Sequence, residues 1–346
     1  MSYILSINIS HNPSVCLLKD DEVVFYGEEP NHLAYESYTE ISCIHLQSIL
    51  DITKSIDDII FCSYRRYIYQ LEQDIINHYI NTFIDPNISY KAVHFFPMNH
   101  HIYHAMKGLK DSNFKEAAAL IADGSGAHLD AHPSYQEIES IYNISSNLIY
   151  AKYKHYSCFN TGNLESFFPK LNPLFTFVNN FKDDNDVQYL FSNKLSAGQL
   201  FTEASCKIYG GKESKAKELM DLSVSSKKVF DIPEYASLID GCPYLNIHDT
   251  PKEEISNRED FAKQIQFETL EHTCNLIQKT IDITGQKNII LSGGYFLNSL
   301  NNLEYPKRFP NINFYIDPKA HDGGTAVGAA YYLYKLKNDF TYGLQP

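Results

Sequence analysis

The 346-residue sequence contains no tryptophan, no long hydrophobic run and comparatively few basic residues. No apolar stretch approaches the roughly 20 residues that a membrane-spanning helix needs, so we expect no membrane partner. The first residues lack the charged head, apolar segment and cleavage site that are typical of a secretion signal. Lys and Arg number 29 against 42 Asp and Glu, which gives a formal net charge of −13. Because phosphate contacts need clustered cations, this balance argues against a broad nucleic-acid-binding surface.

Cysteines are scattered, and none of the seven forms a CxxC pair. An odd number without that spacing indicates neither a disulfide framework nor a zinc site built from thiolates. The pattern is typical of a protein kept in a reducing compartment, and we predict a cytoplasmic location. With 44% hydrophobic and 21% charged residues, the composition is that of an ordinary globular protein.

Apolar periodicity predicts an α/β protein in which one arrangement of strands and helices occurs twice. The first copy has three strands, then a helix, a strand, a helix and a strand, and it ends in a helix that carries "HHIYHA". The second copy begins at "EAAALIADGSG" and ends in the helix "TAVGAAYYLYKL", with a long loop predicted from residue 159 to about residue 187. Tandem lobes are typical of the two-lobed actin-like and sugar-kinase-like (ASKHA) fold, in which a nucleotide binds between the lobes. We predict lobes over residues 1–113 and 114–338, followed by a tail over residues 339–346.

Three glycine-containing loops follow predicted strands, at "ADGSG", "LSGGYFLN" and "HDGGTAVG". Glycine lets backbone N–H groups approach an anion, and the start of a helix adds a favourable dipole. A single loop of this type is more often just a tight turn, but three that meet at one cleft favour phosphate binding. The candidate nucleotide-binding residues are Gly124, Ser125, Gly126, Gly293, Gly294, Asn298, Gly323 and Gly324.

Three histidines fall within five positions in "NHHIYHAM". His100 and His104 are four residues apart, so on a helix that begins after Asn99 both imidazoles share one face. Two aspartates, Asp123 and Asp322, are predicted at strand and loop ends, where side chains reach a cleft. Two nitrogen and two carboxylate donors suit iron, zinc or manganese, and they leave positions for substrate or water. A solvated histidine pair is the alternative interpretation of the spacing alone.

Four motifs follow one another along the chain, namely "HHIYHA", "DGSG", "LSGGYFLN" and "DPKAHDGGTAVGAA". The series resembles HHxxHA, VDGxGE, LSGGxxLN and PxxGDxGxAxGAA, the motifs of the O-carbamoyltransferases of the nodulation, cephamycin and tobramycin type. The opening "INISHNPSVCLLKDDEVVFYGEE" is also similar to the start of that family. The resemblance extends from residue 4 to about residue 337. Similar lobes occur in threonylcarbamoyl-transferring tRNA-modification enzymes and in hydrogenase-maturation carbamoyltransferases.

The resemblance implies carbamoyl transfer from carbamoyl-adenylate, made from carbamoyl phosphate and ATP, to a hydroxyl group of an acceptor. The implied metal is Fe²⁺ or another divalent ion bound to nucleotide phosphate, and its implied ligands are His100, His104, Asp123 and Asp322. His11 matches a family position near the carbamoyl group and would act as general base, although it is as readily a turn residue in "SHNPS". The acceptor would be a hydroxylated small molecule, a sugar or a nucleoside.

The sequence departs from the family pattern in four places. Asn12 stands where the family has aspartate, and Ala127 replaces the acidic residue of VDGxGE. Residues 28–37 read "EEPNHLAYES" and lack the cations that the family carries there. Family members continue into a YrdC-like domain that makes the adenylate, whereas this sequence ends at "NDFTYGLQP". We therefore expect either that a separate YrdC-like subunit makes the donor or that the chain has another role in a complex. The partner would be such a subunit or a second chain in a homodimer or heterodimer.

Two other functions fit the residues less well. A regulatory or scaffold subunit that has lost catalysis would explain the changes at Asn12 and in residues 28–37, but not the retained histidines and aspartates. A kinase of the same fold would use the same cleft, but it has no need of the HxxxH pair. The order of preference is therefore transferase, scaffold subunit and kinase.

Overall fold

The structure is a computed structural model that describes residues 2–10, 12–28, 43–63, 69–129, 132–158, 178–210, 215–250, 255–338 and 341–342. These residues form two large β-sheets and a separate two-stranded hairpin. Helices cover both faces of each large sheet. Within the part of the chain that is described, no helix combines the length and apolar character that crossing a bilayer requires.

The first sheet contains β1 (Tyr3–Asn8), β2 (Ser14–Lys19), β3 (Glu22–Glu28), β4 (Asp58–Cys62) and β5 (Ala92–Phe95). Its spatial order is β3-β2-β1-β4-β5. The pairs β3–β2 and β2–β1 are antiparallel, and the pairs β1–β4 and β4–β5 are parallel. Helices α1 (Cys43–Ile52) and α2 (Tyr69–Tyr79) pack on the outer face, and a π-helical turn (Ile80–Ile84) continues α2. Near-continuous Ile, Leu and Val residues in β1 and β2 are buried because both faces of this sheet are covered.

The second sheet repeats this arrangement. Its strands are β6 (Glu116–Ala122), β7 (His128–Leu129), β8 (His132–Ser145), β9 (Leu148–Ser157), β10 (Val178–Lys182), β11 (Gln188–Ser192), β14 (Asn288–Ser292), β15 (Asn313–Ile316) and β16 (Thr341–Tyr342). The central order β9-β8-β6-β14-β15 has two antiparallel pairs followed by two parallel pairs, as in the first sheet. The predicted duplication is therefore confirmed strand by strand.

Two helices form the layer between the sheets. They are α3 (His100–Ser112) and α9 (Thr325–Lys337), and they pack against each other. Helix α9 contacts β1, β2 and β4 of the first sheet, whereas α3 contacts β6 and β14 of the second. Their backbones approach closely because residue 328 is glycine: a Cβ at Gly328 would lie 1.8 Å from the carbonyl oxygen of Tyr103. This crossing holds the first turn of α3 near the turn that precedes α9.

The outer face of the second sheet is covered by a helical layer. It consists of α4 (Ala197–Tyr209), α5 (Ala216–Ser223), α6 (Arg258–Thr284) and the single turns α7 (Ser299–Asn302) and α8 (Tyr305–Arg308). The long helix α6 begins where the Asn257 side chain accepts a hydrogen bond from the Asp260 amide. It ends at Gly285, which adopts the left-handed conformation. The hairpin of β12 (Ala236–Ile239) and β13 (Cys242–Leu245) packs against α6.

Two local predictions need correction. The loop predicted from residue 159 to about residue 187 contains strand β10, while residues 159–177 lie outside the described part of the chain. The polar sequence "VNNFK" has no strand alternation, and its pairing with β11 determines its conformation. The segment "FLNSLNNL", which its apolar spacing predicts to be one helix after the strand "NIILSGG", is instead a 3₁₀ turn (Gly294–Leu297) followed by the single turn α7. The tight turn at Gly293, with φ of 98°, directs the chain away from a regular helix start.

Candidate functional site

The histidines lie on the buried first turns of α3. Asn99 occupies the N-cap position, although its side chain makes no capping hydrogen bond. His100 and His104 are 1% and 0% exposed, so the alternative of a solvated histidine pair is wrong. Their rings are nearly perpendicular, with centroids 4.9 Å apart, as positions one helical turn apart allow. Both imidazoles face the interior between the two sheets.

Asp123 and Asp322 reach these histidines from two other segments. Asp123 follows the buried end of β6, and Asp322 opens a short 3₁₀ turn (Asp322–Gly324) that leads into α9. His100 Nε2 donates a hydrogen bond to Asp123 Oδ2 at 3.2 Å and lies 3.5 Å from Asp322 Oδ1. His104 Nε2 lies 3.6 Å from each of the same two oxygens. The fold therefore brings all four candidate metal ligands into one buried cluster, which we call the four-donor cluster.

The carboxylates and imidazoles of the four-donor cluster shift one another's protonation. Burial by itself lowers the pKa of His100, but the adjacent Asp322 and Asp123 carboxylates outweigh it and raise that pKa to about 10. Burial and the Asp322 charge act to raise the pKa of Asp123, yet the hydrogen bond from His100 and the nearby imidazoles keep it below its ordinary value. The Asp123 carboxylate therefore carries negative charge next to imidazole nitrogen.

The four-donor cluster fits a divalent cation. One ligand atom from each side chain lies within 4.8 Å of the others, and all four side chains are buried. Nε2 of His104 is buried and has no hydrogen-bond partner in the described parts of the chain. Buried polar atoms are normally paired, so this nitrogen points to a partner of another kind. Imidazole nitrogen together with carboxylate oxygen is a ligand set suited to iron, zinc or manganese.

A cavity of about 590 Å³ opens beside the four-donor cluster, and Asp123 belongs to both. Its volume lies within the range of small-molecule sites. The lining consists of Asp123, Gly124, Gly198, Phe201, Thr202, Ala216, Lys217, Met220, Gly294, Tyr295, Leu297 and Asn298. Aromatic and aliphatic side chains from α4, α5 and the 3₁₀ turn form most of this wall, while the glycine loops after β6 and β14 contribute backbone.

Three of the candidate nucleotide-binding residues line this cavity, namely Gly124, Gly294 and Asn298. A Cβ at Gly124 would meet nothing within 4 Å, so the backbone there is open to a ligand. The side-chain oxygen of Asn298 accepts hydrogen bonds from the Asn301 amide and from Gln266, which fixes its orientation at the cavity wall. Two of the three predicted loops therefore meet at one cavity.

The remaining candidates lie in tightly packed positions next to the cavity or the four-donor cluster. A Cβ at Gly293 would lie 2.4 Å from the carbonyl oxygen of Ala122, and one at Gly126 would lie 2.6 Å from His101 Nε2. Gly323 packs under Glu28 and His321, and Gly324 under Lys107. Ser125, which is partly exposed, lies between Gly124 and Gly126. These residues shape the loops, and their contact with a nucleotide stays a prediction.

The cavity also includes residues that the sequence reasoning missed. Phe201, Met220 and Leu297 supply apolar surface, and Gly198 brings the start of α4 against the Asp123–Gly124 loop, with a Cβ there 3.0 Å from the Gly124 nitrogen. Ser196 and Gln199 cap α4 with two reciprocal hydrogen bonds. A serine followed three residues later by glutamine is a sequence signal for such a helix start. The apolar side chains have no such signal, because their helical spacing is the same as that of core residues.

His11, the candidate general base, lies outside the described residues. The residues around that position are tied to the Asp322 turn. Asn8 donates hydrogen bonds to the backbone oxygens of Asn12 and Asp322, at 2.8 and 3.0 Å. The hydroxyl of Ser14 donates to the Gly323 carbonyl at 2.7 Å. The connection between β1 and β2 is therefore anchored beside the four-donor cluster.

Comparison with solved structures identifies proteins whose fold is similar to that of this chain. The chain is similar to HypF from T. kodakarensis, with a TM-score of 0.64 and 13% sequence identity over 98% of this chain and 48% of that protein. It is also similar to full-length HypF in a phosphate- and nucleotide-bound form, with a TM-score of 0.57 and 15% identity over 98% of this chain and 56% of the other. The chain thus spans about half the length of these relatives. At this level of identity the similarity establishes the two-lobed fold.

Comparison by sequence gives the family. No curated protein matches the chain. A family model for the carbamoyltransferase N-terminus matches residues 55–331, which include all four residues of the four-donor cluster and the glycine loops after β6, β14 and β15. The match covers most of the chain, and the chain therefore belongs to the carbamoyltransferase family.

Proposed function

We propose that the protein transfers a carbamoyl group from carbamoyl-adenylate to a hydroxyl group of an acceptor, with a divalent cation in the four-donor cluster. The observation that carries this proposal is the position of Asp123, which belongs both to the cluster and to the lining of the 590 Å³ cavity. A cation held by the cluster would therefore stand next to the cavity and would be available to the phosphate of a nucleotide bound in it. We take the cation to be Fe²⁺, with other divalent metals as substitutes.

His100, His104, Asp123 and Asp322 would hold the cation. A bound divalent cation neutralises phosphate charge and polarises the leaving group. The protein supplies the position: α3, the end of β6 and the turn before α9 are fixed against one another by the central helix crossing. The ligands therefore need little reorganisation when the cation binds.

The cavity beside the cluster would hold the nucleoside of the adenylate. Phe201, Tyr295 and Leu297 offer apolar surface for a base, and the open backbone at Gly124 faces the phosphate side. The ring of Phe201 packs edge-on against Tyr295, with centroids 6.3 Å apart, so the two aromatic side chains of this wall support each other. Loop backbone that approaches without side chains is suited to phosphate oxygens.

The transfer step forms one bond and breaks one. The acceptor oxygen bonds to the carbamoyl carbon, and the bond from that carbon to the phosphate oxygen breaks. AMP leaves with the electron pair, and the acceptor proton passes to a base. We assign the base to His11, because the connection that carries it is anchored to the Asp322 turn by Asn8 and Ser14.

The test is acceptor-dependent release of AMP. The protein is loaded anaerobically with Fe²⁺ and given carbamoyl phosphate, ATP and a YrdC-like enzyme that forms carbamoyl-adenylate. Sugars, nucleosides and other hydroxylated small molecules are then screened for AMP release and for the mass increase of a carbamoyl group. We expect transfer to at least one acceptor class, and a loss of roughly 100-fold or more in Asp322→Asn, which removes one charged ligand at nearly constant shape.

The matched control is His78→Ala, which removes an exposed histidine on α2 far from the cluster in sequence. It should transfer at the wild-type rate. Equal transfer by Asp322→Asn and the unmodified protein would refute the role of the cluster. Tight binding of cation and nucleotide without turnover on any acceptor would instead favour a regulatory or scaffold subunit, as the substitution at Asn12 suggests.

A further inference from the structure

Two histidines of α3 each begin a series of polar side chains that are linked by hydrogen bonds and an ion pair, and the two series are similar. The first, which we call the His104 chain, consists of His104, Ser292, Asp317 and Lys107. The second, the His101 chain, consists of His101, Ser140, Glu137 and Lys154. In each, an imidazole Nδ1 contacts a serine hydroxyl, the serine contacts a carboxylate, and the carboxylate pairs with a lysine. All eight side chains are buried.

The His104 chain joins three elements behind the four-donor cluster. His104 Nδ1 lies 3.5 Å from the hydroxyl oxygen of Ser292, at the end of β14. That hydroxyl donates to Asp317 Oδ2 at 3.0 Å, and Lys107 Nζ lies 2.5 Å from Asp317 Oδ1. Asp317, just beyond β15, also accepts the backbone amide of Lys319 at 2.9 Å. The His104 chain therefore connects α3 to the ends of β14 and β15.

The donors and acceptors of this chain fix one tautomer of His104. Asp317 accepts hydrogen bonds from the Lys107 ammonium, the Ser292 hydroxyl and the Lys319 amide, so it acts as an acceptor in every contact of this chain. The single hydroxyl proton of Ser292 is directed to Asp317, which leaves the serine oxygen as an acceptor. His104 Nδ1 must then carry the imidazole proton. In the neutral imidazole, Nε2 then has its lone pair free on the side that faces Asp123 and Asp322, where it has no hydrogen-bond partner among the described residues.

Lys107 supplies the positive charge beside Asp317, and its ammonium also lies 3.0 Å from Asp111 Oδ2. It lies three residues after His104 on the same face of α3, and it is 3% exposed. Its aliphatic stem crosses Gly324, where a Cβ would lie 2.7 Å from the lysine Cδ. The same side chain thus neutralises Asp317 and packs on the turn that carries Asp322.

We propose that Ser292, Asp317 and Lys107 are positioning residues that hold His104 as the Nδ1–H tautomer, with Nε2 directed at a cation in the four-donor cluster. The inference rests on the proposed function only in that a cation binds there. Partners of this kind orient metal-ligating histidines, and their loss typically weakens metal binding about 10- to 100-fold. His101, by contrast, points Nε2 at Gly126, so its chain holds the loop after β6 rather than a cation ligand.

The test combines histidine side-chain ¹⁵N NMR of the cation-free protein with Co²⁺ titration followed by visible absorption. We expect His104 to be protonated at Nδ1, and Co²⁺ affinity to fall about 10- to 100-fold in Ser292→Ala. Ser292→Thr keeps the hydroxyl and should recover most of that affinity. The matched control is Ser140→Ala, which removes the corresponding serine of the His101 chain and should leave Co²⁺ affinity unchanged.

The outcomes separate this inference from the proposed function. Absence of Co²⁺ and Fe²⁺ binding in the unmodified protein would refute the cation site, while the NMR assignment of His104 would still test the chain. Cation binding with equal affinity in Ser292→Ala would overturn the positioning role and leave the proposed function standing. If circular dichroism shows that Ser292→Ala is unfolded, the tautomer in the unmodified protein decides: an Nε2–H form of His104 refutes the inference.

Discussion

The crossing of α3 and α9 at Gly328 predicts how Gly328→Ala changes the stability of the fold. Whether the substitution stabilises or destabilises depends on how closely the two helix backbones approach. A Cβ at this position would lie 1.8 Å from the Tyr103 carbonyl oxygen, 2.6 Å from its carbonyl carbon and 3.0 Å from its Cα. Close carbon–oxygen contacts in proteins are about 3.3 Å long, so Gly328→Ala must separate the helices by roughly 1.5 Å. The obstacle is helix backbone, which cannot rotate aside as a side chain can.

The expected cost follows from two opposing effects. Overpacking in a rigid core costs up to about 3 kcal/mol, whereas replacing glycine by alanine inside a helix gains about 1 kcal/mol. We therefore expect Gly328→Ala to lower the free energy of unfolding by about 2 kcal/mol. Because α3 carries His104 and α9 directly follows Asp322, the same displacement should lengthen the 3.6 Å approach of these two side chains and weaken cation binding.

Urea denaturation followed by circular dichroism measures the first effect, and Co²⁺ titration measures the second. Gly108→Ala is the matched control, because the three nearest atoms to a Cβ there belong to the side chain of Ile290, the closest being Cγ2 at 2.3 Å. It should cost less than Gly328→Ala and leave Co²⁺ affinity largely unchanged. An increase in stability of Gly328→Ala, as helix propensity alone would give, would refute the close crossing of the two backbones.

Three further predictions concern the cavity and the buried charges. Leu297→Ala should weaken nucleotide binding about 10-fold in calorimetric titration, because Leu297 lines the cavity. Stability should not fall, because the side chain is 47% exposed, and an unchanged nucleotide affinity would exclude this wall from the proposed nucleotide site. Burial opposes ionisation of Glu139, but His272 and His155 lower its pKa from 4.5 to about 2. The ionised Glu139 carboxylate therefore stabilises the fold above about pH 4.5, and this contribution disappears as the pH falls toward 2. Glu139→Gln should flatten the stability–pH curve in that window, and an unaltered curve would contradict the assignment. The buried Glu268 carboxylate accepts hydrogen bonds from three backbone amides, those of Glu234, Tyr235 and Ala236. Glu268→Ala should therefore lower the free energy of unfolding by about 3 kcal/mol in urea denaturation, whereas a loss below about 1 kcal/mol would show that water replaces the carboxylate.

The four-donor cluster could be predicted from sequence because its parts carry local signals. The spacing of His100 and His104 places them on one helix face, and Asp123 and Asp322 follow recognisable strand and loop patterns. Apolar runs likewise predicted the strands that make both halves of the duplicated fold. That the histidines face the interior needed the structure, since the same spacing on a solvent-facing helix would look no different.

Other features could not be read from sequence because they arise from contacts between distant segments. Strand β10 has a polar sequence, and only its pairing with β11 makes it a strand. Phe201 and Met220 have the spacing of ordinary core residues, so nothing local marks them as cavity lining. Ser292 and Asp317 are 25 residues apart, and their link to His104 depends on α3 packing beside the ends of β14 and β15.

The central claim is that His100, His104, Asp123 and Asp322 hold a divalent cation beside the cavity. The most direct measurement is the metal content of anaerobically purified protein after incubation with Fe²⁺ and desalting, compared among the wild type, His104→Ala and His78→Ala. We predict about one equivalent in the wild type and in His78→Ala, and a loss of most of it in His104→Ala. Equal metal content in His104→Ala and the wild type would contradict the account.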